Sequence, residues 1–291
     1  MTQQVPLDPE AVAAEGQADG TLDAAPDIAY LRLLFVNVVF CGLPGQPGWV
    51  LVDTGVPGGA GRIRAAAERR FGNAPPAAIV LTHGHFDHVG NVRELADGWD
   101  VPVYAHPLER PYLDGSNSYP PPDPTVGGGA MALLSPLYPR APIDLGPRLR
   151  MLAEDGSLPG MEGWRWLHTP GHSVGHVSLW RSSDRSLISG DAVITTAGES
   201  AYASATQAPE LHGPPKYFTH DWGAAETSAA KLAALHPALL VPGHGRALQG
   251  GAMDAALQRL ALDFRRIAVP EHGRFVDAPR RAEDGSAYDA P

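Results

Sequence analysis

A layered α/β chain is the fold class this sequence predicts, on three observations. Short apolar runs at 49–52, 77–81 and 238–241 have the length and branched composition of buried strands. Helical spacing recurs between and after such runs, at 61–71, 224–235 and 252–264. Several runs end abruptly in turns built from Gly, Pro, His and Asp. Strands that alternate with helices pack their helices on the faces of sheets.

Taken in order, residues 1–27 are small and acidic, and partial disorder is expected there. The segment 28–40, rich in branched and aromatic residues, reads as one strand. Gly42-Leu43-Pro44-Gly45-Gln46-Pro47-Gly48 is a turn, and the strand at 49–52 feeds Asp53-Thr54-Gly55. A helix over 61–71 stops at Gly72-Asn73. A strand at 77–81, a helix from 88 to 95 and a strand at 101–105 follow. The second half resumes with strands at 149–152, 163–167, 177–180 and 186–189, then helix 224–235, strand 238–241 and helix 252–264. Between the halves, 107–148 breaks the pattern with Pro120-Pro121-Pro122, Gly127-Gly128-Gly129 and the spaced aromatics Tyr112, Tyr119 and Tyr138. A segment of that length without periodicity marks a lid, a binding loop or an arm between the subunits of a homodimer. The chain thus reads as one domain over 28–270 with an excursion at 107–148 and a tail at 271–291.

Bulk properties narrow the partners. The chain has 291 residues, Lys+Arg 22 against Asp+Glu 32, and a formal net charge of −10. Without a basic run, that balance argues against a nucleic-acid partner. No apolar run approaches the roughly 18 residues of a membrane span. Residues 1–20 lack the basic-then-apolar pattern of a signal peptide. The single cysteine, Cys41, leaves no internal disulfide. A cytoplasmic protein acting on a small molecule is expected.

The chemistry is concentrated in Thr82-His83-Gly84-His85-Phe86-Asp87-His88, directly after an apolar strand. Imidazole is the commonest protein ligand for zinc-like ions, and a carboxylate completes a mixed nitrogen and oxygen shell. The design repeats downstream. His172 lies in a Gly/Pro turn, Asp191 ends the apolar run Leu187-Ile188-Ser189-Gly190, and His244 follows Val241-Pro242-Gly243. Together His83, His85, Asp87, His88, His172, Asp191 and His244 are too many donors for one tetrahedral zinc; they suit two metal ions sharing a carboxylate.

From Asp53-Thr54-Gly55 to Pro242-Gly243-His244-Gly245 the ordered motifs resemble the metallo-β-lactamase-fold hydrolase superfamily, most closely its glyoxalase II-like and lactonase-like branches. The resemblance implies an αββα sandwich with two metal ions at one edge, between the sheets. It assigns His83, His85 and His172 to one ion, Asp87, His88 and His244 to the other, and Asp191 as the bridge. It also implies that Asp53 hydrogen-bonds a ligand imidazole. His176, four residues after His172, reads as a supporting hydrogen-bond residue.

Two divalent cations can share a water and lower its pKa towards neutrality, so the expected enzyme is a metal-dependent hydrolase of a small ester, lactone or thioester that uses a metal-bridging hydroxide. Asp87 has a second expected role, holding that hydroxide in line and taking its proton. Zinc suits the donor set first; manganese, cobalt and iron also fit it. Tyr202, Lys216 and Tyr217, in the segment after Asp191, are candidates for substrate binding. The alternative readings are a one-iron enzyme resembling the persulfide dioxygenases and a β-lactamase-like amide hydrolase. Relatives that hydrolyse β-lactams lack the bridging aspartate, and some use a cysteine ligand, whereas Cys41 lies upstream of every ligand motif. Ile194 occupies the position where acyl-homoserine lactonases often carry a tyrosine.

Overall fold

The computed structural model describes residues 5–7, 9–13, 20–198, 200–206 and 209–288. The first half forms a seven-stranded sheet in chain order: β1 (Leu22–Ala25), β2 (Ile28–Leu33), β3 (Val36–Cys41), β4 (Val50–Val52), β5 (Ala78–Val80), β6 (Val103–Ala105) and β7 (Leu149–Met151). Strands β1 to β4 are antiparallel, whereas β4 to β7 run parallel. The second half forms a five-stranded sheet from β8 (Trp164–His168), β9 (Val177–Arg181), β10 (Ser186–Gly190), β11 (Leu239–Pro242) and β12 (Leu248–Gln249), in the order β12-β11-β10-β9-β8. Only β10 and β11 are parallel in it.

Parallel neighbours need a crossover, and helices supply it. The β4–β5 connection carries α1 (Ala60–Phe71) and the β5–β6 connection α2 (Val92–Trp99). The β10–β11 connection carries α3 (Trp222–Ala233); α4 (Gly250–Leu262) follows β12. Side-chain alternation then builds three apolar layers. Val50 and Val52 of β4 face inward with Val39, Val80, Val177, Leu179, Ile188 and Val241, the seam between the sheets. Leu51 of the same strand faces outward with Phe40, Ile79, Ile63, Phe71 and Leu95, under α1 and α2. On the far side, Leu187 and Leu240 meet Leu232, Met253 and Leu257 of α3 and α4. The result is the expected αββα sandwich. A strand buried on both faces has no polar alternation, which is why these runs read as continuously apolar.

Three expectations need revision. The segment 28–40 is a hairpin, not one strand: β2 and β3 pair with Leu33 opposite Val36. The two-residue turn is Leu34-Phe35, and Leu34 has φ 60°. Neither residue announces a turn, so the apolar run hid it. The helix expected from 88 to 95 is a single turn at Phe86–Val89 followed by α2, broken at Gly90-Asn91. There the Asn91 side chain accepts from Gly59 and Ala60 N–H and donates to the carbonyls of Thr54 and Val56, fixing the loop after β4. The disorder expected over 1–27 falls partly on 1–4, 8 and 14–19, outside the described residues; of the rest, Val5–Pro6 pairs with Glu210–Leu211 and β1 pairs with β2.

Leu34 is 73% exposed in a conformation that suits glycine. Leu34→Gly should therefore raise unfolding free energy by about 1 kcal/mol, because removing Cβ relieves the left-handed strain and gives up little burial. Denaturant unfolding of the two proteins checks this; a clear loss of stability would show that the turn does not carry that strain.

Candidate metal centre

Asp53 follows β4, His83 lies just beyond β5, Asp191 follows β10 and His244 follows β11. Each of these is the C-terminal end of a parallel strand, so the crossovers that build the sheets also gather the donors on one edge. His172 joins from the β8–β9 connection, and His85, Asp87 and His88 come from the loop and helical turn after His83. The seven expected donors are all buried. Among the described residues they fall into three groups whose ligand atoms lie within 4.8 Å of one another: His83, His85 and His172; Asp87, His88 and His244; and His83, His88 and Asp191.

The hydrogen bonds around these rings fix which nitrogen faces inward. Thr82 Oγ1 donates to Asp53 Oδ2 at 2.8 Å, so it accepts from His83 Nδ1–H at 3.1 Å. Thr219 Oγ1 donates to the Pro215 carbonyl and accepts from His172 Nδ1–H at 3.3 Å. His88 Nδ1–H donates to Asp53 Oδ2 at 2.8 Å, and His244 Nδ1–H to the Phe35 carbonyl at 2.9 Å. Nε2 of all four rings is therefore turned toward the cluster: a lone pair on His83 and His172, which burial keeps neutral, and at His88 and His244 a nitrogen facing the Asp191 carboxylate. His85 Nδ1 lies 2.9 Å from both His83 Nε2 and His172 Nε2. One N–H there could satisfy only one of the two; a cation would satisfy all three. His88 Nε2 and Asp191 Oδ1 are buried with no hydrogen-bond partner. Converging lone pairs and orphaned acceptors of this kind fit divalent metal ions.

Asp191 is the common member. Its carboxylate lies 3.4 Å from His88 Nε2, 3.4 Å from His172 Nε2 and 3.1 Å from His244 Nε2. Gly243 permits this approach, because a Cβ there would stand 2.1 Å from Asp191 Oδ1. Asp87 Oδ2 lies 3.5 Å from His244 Nε2. Electrostatics divide the cluster. Burial, reinforced by neighbouring imidazoles, holds His83 and His85 well below the ordinary histidine range; burial likewise lowers His172, although Asp191 opposes it. At His88 burial acts in the same direction, but Asp191, Asp53 and Asp87 outweigh it and hold the ring well above that range. His244 is also raised, by Asp191 and Asp87 against burial. The Asp87/His88/His244 side thus draws positive charge, and the His83/His85/His172 side keeps its rings neutral.

The supporting residues are specific. Asp53 is buried and holds φ 60°, a strained setting that lets one carboxylate serve His88 Nδ1, Thr82 N–H and Thr82 Oγ1. His176 accepts from Asp191 N–H at 2.9 Å, so its Nδ1–H donates to Thr169 Oγ1 at 2.9 Å. Thr169 passes the chain to Ser178, which donates to the Ser189 carbonyl. Both nitrogens of His176 are spent on structure, and burial lowers it to about 3. Asn37 of β3 donates to the carbonyls of Pro242 and Gly245, tying the His244 loop to the opposite sheet.

The residues expected to bind substrate lie in three different surroundings. Tyr202 is 79% exposed on the short helix Ala201–Thr206. Lys216 lines a separate cavity with Val126, Glu271 and His272. Tyr217 is buried beside Phe218, and it is Phe218 that packs on the His85 ring, with centroids 4.7 Å apart. Phe86 and Tyr138 extend this aromatic wall, 5.3 Å apart. The excursion also divides. Tyr138 belongs to the wall, but Glu109 and Tyr119 are buried against the ligand loops, so the first part of the excursion belongs to the scaffold of the site. Sequence reasoning missed Glu109 because a lone acid after Pro107 reads as surface.

The profile of the Metallo-beta-lactamase superfamily matches residues 31–244, and the chain belongs to that superfamily. It is 46% identical over 241 residues to "Probable metallo-hydrolase YflN" of Bacillus subtilis (strain 168), covering 82% of this chain and 91% of that one. Among solved structures, it resembles TTHA1623 "in a di-iron-bound form" at 27% identity and TM-score 0.50, covering 76% of this chain and 92% of that one. A beta-lactamase domain protein from Burkholderia ambifaria has the same fold, with TM-score 0.59 at 22% identity, covering 90% and 80% of the two chains.

Asp53→Asn turns an amide donor toward at least one of the three donors the carboxylate now serves. Metal affinity should fall by about 10–100-fold, the usual cost of losing an outer partner of a ligand. Competition with a coloured chelator measures it, and parental affinity would reduce Asp53 to a turn residue.

Proposed function

We propose that this protein is a binuclear metal-dependent hydrolase that cleaves a small ester, lactone or thioester. The single observation that carries the reading is Asp191, whose carboxylate contacts His172 of one donor set and both His88 and His244 of the other. A carboxylate so placed suits two ions that share a ligand. When bound, two divalent ions lower the pKa of a shared water and polarise the bond to be cleaved. The complete Asp87/His88/His244 group favours this over a one-iron oxygenase. The shared aspartate supports the lactonase-like and glyoxalase II-like side of the superfamily. Zinc suits the donors first, and the di-iron form of TTHA1623 makes iron the second metal to test.

The chain's own residues have separable tasks. Asp87, buried beside His244, is the carboxylate positioned to hold a proton released during hydrolysis. Burial raises its pKa against the pull of His88 and His244, which suits that task. Phe86, Tyr138 and Phe218 keep water from one side of the cluster and offer an apolar surface to the substrate.

The test begins with elemental analysis of protein purified without chelator, then turnover on lactones, thioesters, phosphoesters and β-lactams. Two ions per chain and turnover of the first two classes are expected; one ion per chain at full activity would sink the binuclear reading. Asp191→Ala should deplete the paired site and lower kcat/KM by at least about 100-fold, beyond what outer partners alone cost. Tyr138→Ala should leave metal content intact and raise KM more for substrates with long apolar groups than for short ones. Equal effects on both would remove Tyr138 from substrate recognition.

A further inference from the structure

Glu109 is completely buried, yet it lies outside every donor group of the metal centre. Four donors reach its carboxylate. Gly84 N–H, from the loop between His83 and His85, donates to Oε2 at 3.0 Å, and the Tyr119 hydroxyl donates to the same oxygen. Ser173 Oγ and Gly175 N–H, from the loop that carries His172, each donate to Oε1 at 2.8 Å. One carboxylate therefore joins the two ligand loops, one oxygen to each. Tyr119 strengthens the first half of this junction: its hydroxyl accepts from Gly84 N–H at 2.9 Å, and its ring lies 4.3 Å from the His85 ring. Phe218 packs on the same imidazole. The approach is close enough that a Cβ on Gly175 would stand 2.7 Å from Glu109 Cγ.

The junction is braced from outside. Tyr112 stacks on Tyr119 at 3.8 Å and donates its hydroxyl proton to the Ala287 carbonyl. Tyr288 donates to the Leu108 carbonyl, next to Glu109. The segment near the end of the described chain thus holds the element that holds the ligand loops.

We infer that Glu109, with Tyr119, is a positioning residue that sets the spacing of His85 and His172 for the ion held by His83, His85 and His172. The inference rests on the metal-site reading above. A burial cost this large is offset only when each oxygen is fully hydrogen-bonded, and here all four bonds go to the two loops or to the tyrosine that steadies one of them. Replacing one oxygen by an amide sets N–H against N–H on one loop. A glycine N–H cannot turn away as a hydroxyl can, so that loop must shift.

Glu109→Gln should weaken the ion of the three-histidine set by about 10–100-fold in chelator competition, with a smaller change at the Asp87/His88/His244 set. Tyr119→Phe, which keeps the ring on His85 and removes the hydroxyl, should act in the same direction by a smaller factor. Melting temperatures separate positioning from bulk stability. The metal-induced rise in Tm should shrink in both variants, and restoring a carboxylate with Glu109→Asp, one methylene too short to reach both loops, should rescue only partly. Should Glu109→Gln fail to fold, Tyr119→Phe and Ser173→Ala carry the same measurement. Parental affinities, or equal Tm losses with and without metal, overturn the inference. A parental protein that binds no divalent ion overturns the metal-site reading instead.

Discussion

Lone pairs facing one another in a buried site repel, and the rest of this structure is arranged to hold them there. Nε2 of His83, His88, His172 and His244 and the carboxylates of Asp87 and Asp191 converge away from water, and an isolated chain would not bring them together. The two sheets supply the rigidity. β4, β5, β10 and β11 are covered on both faces, and their parallel ends deliver Asp53, His83, Asp191 and His244 to a common edge. The hydrophobic seam between sheets is thereby coupled to the chemistry, since slipping one sheet against the other would separate His244 from Asp87.

The same constraint explains why the outer partners are as definite as the donors. An acceptor on the other nitrogen fixes which one an imidazole presents inward. Four of the five inward-facing rings have one: Thr82 for His83, Asp53 for His88, Thr219 for His172 and the Phe35 carbonyl for His244; His85, which turns Nδ1 inward, is instead steadied by ring contacts with Tyr119 and Phe218. Phe35 owes its position to the Leu34-Phe35 turn, so an uncomfortable hairpin serves the second donor set. His176 acts at one remove, orienting the Asp191 backbone through a chain that ends on Ser189.

How much of this was legible in the sequence follows from where each piece of information is stored. The layers were legible because doubly buried strands read as unbroken apolar runs, and the donors because histidines and aspartates at strand ends form local patterns. Long-range partners leave no such pattern. Glu109 and Asn37 are single polar residues whose importance lies in neighbours 66 and 205 positions away. The Leu34 turn was hidden because tertiary packing of β2 on β3 overrides local propensity. In the turn at Lys216–Phe218 it is Phe218, not singled out from the sequence, that packs on His85, because the helical turn and not the side-chain chemistry decides which residue faces the cluster.

The field inside the cluster is asymmetric, and this gives the two donor sets different work. On one side three imidazoles, kept neutral by burial and by each other, offer donors without formal charge. On the other, Asp87 and Asp191 bias His88 and His244 toward positive charge, so a cation there replaces a proton the site already attracts. Asp191 belongs to both environments, and its pKa is held well below the carboxylate range, against burial, by His244 and His88. In the proposed two-ion site, an acceptor that stays ionised between the two sets would neutralise part of each cation and let them approach.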